Sequence, residues 1–136
     1  MIATELRVRY YETDMMEIAH HTNHLRWFEM GRVEFFRHCG IDLLEMADKG
    51  IVYPITKLEC QYKEPANFDD ILRVEVEVQS LSRAQCTFTY RIVRVADEKL
   101  ICTGMTQNVF THRETGKITR LPDCYYHPLQ AAAEGA

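Results

Sequence analysis

No stretch of this 136-residue chain approaches the ~20 consecutive apolar residues that cross a bilayer. The opening Met-Ile-Ala-Thr-Glu-Leu-Arg also lacks the apolar core of a signal peptide. These two absences predict a cytoplasmic protein with no membrane span. Positive charge is not in excess: 16 Lys and Arg stand against 20 Asp and Glu, a net charge of −4, so no basic field draws nucleic acid. The five cysteines (Cys39, Cys60, Cys86, Cys102 and Cys124) form no C-x-x-C pair, which argues against a zinc knuckle or a redox dithiol. There is no G-x-S-x-G elbow and no H-E-x-x-H helix motif. His20 and His24 are one helical turn apart, but no downstream Cys or His has matching spacing, and neither a metal nor a cofactor is expected. Only six Gly and four Pro are present, with no linker or low-complexity segment.

The remaining composition, 46% hydrophobic and 26% charged, is that of a soluble globular protein. Its length suits one domain, residues 1–136, burying roughly two-thirds of its unfolded surface. Leu6 to Tyr10 alternates apolar and basic residues, which predicts a short strand. From about Thr22 to Cys39 the period changes to 3.6: Leu25, Phe28, Gly31, Arg32, Phe35, Phe36 and Cys39 form a helical stripe, with Gly40 placed to end it. Thr22 or Asn23 is the expected N-cap, and Glu29 with Arg32 an expected surface pair. A second helical turn spans 42–48. Strands follow: 51–62 interrupted at Pro54, then 72–78, 86–92 and 100–111, joined by short polar turns, with a short tail that frays over 131–136. Short turns between strands imply antiparallel pairing, and helix segregated from strand implies α+β. Open edge strands favour a homodimer.

Chemistry concentrates in Tyr10 to His24, before the long helix. Tyr11-Glu12-Thr13-Asp14 is followed seven positions after the aspartate by His21-Thr22-Asn23-His24. Unpaired N–H groups and the positive dipole end of a helix suit the developing charge on a carbonyl oxygen. An ionised carboxylate beside that point serves as base or nucleophile. Together they form an acyl-transfer site needing neither Ser nor Cys.

These residues, with His21-Thr22-Asn23-His24-Leu25-Arg26-Trp27-Phe28-Glu29-Met30-Gly31-Arg32, Gln61-Tyr62-Lys63-Glu64-Pro65-Ala66, Asp69-Asp70 and Thr115-Gly116-Lys117, resemble the hot-dog-fold acyl-CoA thioesterases of the 4-hydroxybenzoyl-CoA type, particularly those associated with Tol–Pal genes. The resemblance covers nearly the whole chain. It implies an antiparallel sheet of five or six strands wrapped around one long helix, a homodimer or homotetramer, and active sites at the dimer interface. It also implies an acyl-CoA substrate, Asp14 as the catalytic carboxylate, and the His21 backbone N–H as the donor to the thioester carbonyl. The chain departs from the pattern at Glu17, where the family carries Gly, and at His24, where Tyr is usual. Both become candidate substrate contacts. Arg83, by its place in a turn alone, is a candidate contact for a phosphate. Glu17 favours a rival reading, a non-catalytic acyl-CoA-binding sensor or carrier. A hydratase or dehydratase on the same fold is the third, and the acid-to-helix spacing suits it less well.

Overall fold

Leu72, Val74, Val76, Phe88 and Ile92 have no solvent-exposed surface, and each alternates with a more polar neighbour along its strand. That period-2 pattern fixes which face of the sheet turns inward. The computed structural model describes residues 1–135 and has ten elements besides a 3₁₀ turn at Tyr10–Glu12. In chain order they are β1 (Ile2–Arg7), α1 (Asn23–His38), α2 (Leu43–Asp48), β2 (Ile51–Val52), β3 (Ile55–Tyr62), β4 (Ile71–Leu81), β5 (Gln85–Arg94), β6 (Lys99–Val109), β7 (Thr111–His112) and α3 (Asp123–Gly135). Five strands form one antiparallel sheet in the order β1-β4-β5-β6-β3, and β2 pairs with β7 separately. This is the hot-dog fold, α+β, with α1 laid on the sheet's inner face.

The helical stripe predicted from the sequence is the buried one. Trp27, Phe28 and Phe35 are fully buried and Phe36 is 1% exposed. Each large apolar side chain contributes about 1.5–3 kcal/mol on burial. Gly31 sets the approach of α1 to β4: a Cβ there would stand 2.8 Å from both Val74 and Val76. Gly104 does the same on β6, where a Cβ would stand 2.3 Å from the Phe28 ring. Phe28 then stacks on Tyr90 at 4.4 Å between ring centroids.

Four local expectations are corrected. The first strand runs Ile2–Arg7 rather than Leu6–Tyr10, because its register is set by pairing with Arg7↔Ile71 through Ile2↔Val76. The N-cap oxygen is missing at Thr22, whose hydroxyl lies 2.9 Å from His20 Nδ1 instead. Arg32 is no surface partner of Glu29: it is 5% exposed, and its guanidinium donates to the Tyr90 hydroxyl at 3.0 Å. The expected frayed tail is α3, held by Tyr125 and Leu129, one turn apart and 4% and 0% exposed. Within that tail, Ala136 lies outside the described residues.

Candidate active site

The 3₁₀ turn before the helix is tied down by Glu12. Its carboxylate accepts the Arg9 N–H at 2.7 Å and the Trp27 indole N–H at 3.0 Å, so one acid joins the loop to the buried face of α1. Its carbonyl oxygen accepts the His20 N–H at 2.8 Å and the Asn23 side-chain amide at 2.7 Å. Asn23, 5% exposed, also donates to the His20 carbonyl through its backbone and its side chain. Trp27 and Asn23 therefore hold the loop to the helix mouth.

Asp14 sits in a tight excursion between Thr13 and Ala19, which face each other in an antiparallel bridge. The Asp14 N–H donates to the Ile18 carbonyl at 2.9 Å, and the Glu17 N–H donates back to the Asp14 carbonyl at 3.0 Å. The Met16 N–H donates to Asp14 Oδ1 at 2.8 Å, an Asx-type turn that fixes the carboxylate and leaves Oδ2 with no partner among the described residues. Glu17 takes φ of +64°, the left-handed region that favours glycine. The turn that a glycine would form is thus kept by a glutamate under strain. Ala19 N–H donates to the Ala66 carbonyl at 2.7 Å and Ile18 bridges Asn67, so the Pro65-Ala66…Asp69-Asp70 segment supports the Asp14 loop. Asp70 in turn accepts from Asn67 N–H at 2.8 Å and from Arg94 at 3.3 Å.

Beside this loop lies a groove of about 330 Å³, walled by Ile18, Ala19, His21, His24, Tyr62 and Pro65 among others. The His21 N–H, just outside the helix, has no acceptor among the described residues. The Tyr62 hydroxyl donates to the His21 carbonyl at 2.6 Å, and His24 Nδ1 lies 3.2 Å from the same oxygen. His24 is 3% exposed, and burial lowers its pKa below the usual imidazole value, keeping the ring neutral at pH 7. Its ring packs edge-on to Tyr62 at 4.7 Å and against Trp27 at 4.8 Å.

The structure thus brings His21 and His24 together in one groove and sets the Asp14–Glu17 turn against its wall through Ile18 and Ala19. The Asp14 and Glu17 side chains are themselves exposed outside that lining. Arg83 does not join them. It pairs with Asp123 at the start of α3, donates to the Leu121 carbonyl at 3.2 Å, and lies 4.2 Å over the Tyr126 ring. Among the described residues no three His, Cys, Asp or Glu side chains converge as a metal would require. A larger hollow of about 560 Å³ beside Val33, Arg37 and Leu43 has one acid, Asp42, whose carboxylate caps α2. Glu12, Asn23 and Tyr62 do not stand out in the sequence as site residues. The Glu12-to-Asn23 and Glu12-to-Trp27 spacings carry a helix-mouth clasp that only the folded loop reveals.

Residues 8–129 match the thioesterase-like superfamily, and the chain belongs to it. It is an enzyme of the thioesterase class. A hypothetical protein from Aquifex aeolicus superposes with a TM-score of 0.88 at 31% identity, over 95% of this chain and 99% of that one. The DHNA-CoA thioesterase from Staphylococcus aureus gives a TM-score of 0.88 at 30% identity, over 98% of this chain and 88% of the other. The acyl-CoA thioester hydrolase YbgC of Escherichia coli O157:H7 is 27% identical over 95 residues, which are 70% of this chain and 71% of that protein. Among the described residues no helix is long and apolar enough to cross a membrane.

Proposed function

We propose that this protein hydrolyses an acyl-CoA thioester to the free acid and coenzyme A, with Asp14 as base or nucleophile and the His21 amide as the oxyanion donor. The observation that carries this reading is the placement of a carboxylate, oriented by the Met16 N–H and open at Oδ2 among the described residues, on a loop whose Ile18 and Ala19 wall the groove that His21 also lines, the His21 N–H having no acceptor among the described residues. The similarity to proteins named as acyl-CoA and DHNA-CoA thioesterases supports the substrate class.

In the base route, Asp14 Oδ2 takes a proton from water as the water oxygen attacks the thioester carbon. The carbonyl oxygen becomes an oxyanion facing the His21 N–H, where one preorganised donor contributes ~10²–10³ in rate. The C–S bond then breaks, and the departing thiolate receives the proton held by Asp14. In the nucleophile route, Asp14 itself attacks the thioester carbon, the C–S bond breaks to release the CoA thiolate, and a mixed anhydride remains. Water then opens it, regenerating the Asp14 carboxylate and the free acid while a proton from that water passes to the thiolate. Single-turnover hydrolysis in ¹⁸O-labelled water separates them: label in the Asp14 carboxyl requires the anhydride. His24, buried and neutral, and Glu17, at the loop tip, are the side chains that shape which acyl group enters. For Arg83 to reach a CoA phosphate, it would first have to leave Asp123 and Tyr126.

Two copies complete this site. β3 is a sheet edge with side chains exposed along nearly its whole length, including Ile55, Leu58 and Tyr62, and such an edge is satisfied by pairing. Met15, Met16 and Phe68 stand exposed around the Asp14 loop and supply the apolar surface a partner would cover. The observation that favours hydrolysis over a sensor or carrier is the conformation of Glu17. It holds the turn that its side chain disfavours, so the departure from glycine leaves the loop geometry in place. The direct experiment is thiol release from a panel of acyl-CoAs by the purified protein: turnover of at least one supports the reading, and release from none rejects it.

A further inference from the structure

We propose that Tyr62 is a positioning residue for this reaction: its phenol, by donating to the His21 carbonyl, fixes the stretch of backbone that presents the His21 amide to the substrate. The inference rests on the hydrolase reading above and adds a residue to it.

His21 precedes α1, which begins at Asn23, so no helical ladder holds it. The peptide on its N-terminal side is fixed by Asn23, whose backbone N–H reaches the His20 carbonyl at 3.0 Å. In a trans peptide the C=O and N–H point in opposite directions, so that bond turns the His21 N–H away from Asn23. The peptide on the C-terminal side has a different anchor. Its carbonyl accepts from Tyr62, 41 positions away on β3, at 2.6 Å. Tyr62 faces Cys102 in the register of β3 with β6, so the anchor is mounted on the sheet rather than on the loop. Among the described residues, removing the hydroxyl leaves the His21 carbonyl only His24, whose Nδ1 is 3.2 Å away.

The phenol is suited to a constant donor. Burial of part of the ring, with the Cys60 and Cys102 thiols beside it, pushes it up to about 12, so it keeps its proton throughout the neutral range. Its ring also forms groove wall and packs against His24, so a shift of Tyr62 moves the two imidazoles together. Catalytic geometry is sensitive to such shifts, a misplacement of about 1 Å costing up to ~10²-fold. Loosening one of two anchors is expected to cost about a tenth of that, roughly tenfold in kcat.

The test compares the wild type, Tyr62→Phe, and a protein with 3,5-difluorotyrosine at position 62, using thiol release, thermal unfolding, and hydrogen exchange at the Thr22 amide, which shares a peptide with the His21 carbonyl and donates to His20 Nδ1 at 3.3 Å. Tyr62→Phe is expected to lose roughly tenfold in kcat, with KM within about twofold and an unchanged unfolding midpoint. The difluoro protein, whose phenol is more acidic, is expected to match the wild type at low pH and fall towards the Phe variant as its phenol ionises; a purely structural role would not give that profile. Wild-type kcat in both variants overturns the proposal, as does a raised KM with unchanged kcat. Should the Phe variant fail to fold, the difluoro protein decides alone. If the wild type itself releases no thiol, the hydrolase reading falls. Hydrogen exchange then decides positioning: faster exchange at Thr22 in Tyr62→Phe supports it, and unchanged exchange overturns it.

Discussion

Glu12 and Trp27, fifteen positions apart, are joined by an indole N–H that donates to a carboxylate oxygen at 3.0 Å. The other oxygen of that carboxylate accepts the Arg9 N–H at 2.7 Å. One side chain therefore decides where the loop bearing Asp14 meets the helix whose start the His21 amide precedes. Both groups in the proposed chemistry inherit their relative position from it.

Glu12→Gln keeps the shape but turns one acceptor into a donor that faces an N–H. Hydrogen bonds to charged groups contribute about 1.5–3 kcal/mol, and the variant is expected to lose an amount in that range in chemical denaturation. Thiol release should fall as well, with kcat affected more than KM, because the clasp positions the site without contacting substrate. A variant with wild-type kcat would show that the loop finds its place without the clasp.

Glu17→Gly removes a side chain from a backbone at φ +64°. A non-glycine residue there costs about 1–2 kcal/mol, partly offset by the larger unfolded-state entropy of glycine, about 0.4–1 kcal/mol. The expected result is a gain of about 1 kcal/mol or less, read as a rise of a few degrees in the unfolding midpoint. Loss of the carboxylate should also raise kcat/KM for acyl groups bearing negative charge relative to neutral ones. A lower midpoint would show that Glu17 stabilises the loop by contacts that outweigh its strain.

His24 gives a pH dependence of defined sign. Burial lowers its pKa in the folded protein below the value near 6.5 of the unfolded chain. Between those two values the unfolded state binds more protons, so stability rises with pH there. The contribution is present above about pH 6.5 and is lost as pH falls towards the folded pKa. The difference in unfolding midpoint between wild type and His24→Gln, measured from pH 8 to 5, should shrink as the solution is acidified. A difference that is constant or grows towards acid contradicts the buried neutral imidazole.

The parts of this fold that were legible in the sequence are those where one face is buried. The stripe through Phe28, Gly31, Phe35 and Phe36 predicts α1, and the alternation through Leu72, Val74 and Val76 predicts β4, because burial imposes period on both. Prediction fails where pairing or distant contacts override local pattern. Ala3, Thr4 and Glu5 have no strand signature and join the sheet through their partners on β4. Arg32 reads as a surface charge but is buried against Tyr90, a contact 58 positions away. The helix α3 depends on only two buried anchors, Tyr125 and Leu129, too few to set a clear period across a segment containing Pro128. In the site, the aspartate and the histidine mouth stand out as residue types. Tyr62 does not, since its role depends on β3 passing beside the helix start.

The most direct test is the kcat of Asp14→Asn for the best acyl-CoA substrate of the wild type. Asparagine retains an oxygen for the Met16 N–H and leaves the turn intact, while removing the charge that either abstracts a proton or attacks the thioester carbon. The expected result is a loss of at least ~100-fold in kcat, the low end for a positioned acid–base group, with circular dichroism and unfolding midpoint unchanged. Near-wild-type turnover by the folded variant would contradict the assignment of Asp14 to the reaction.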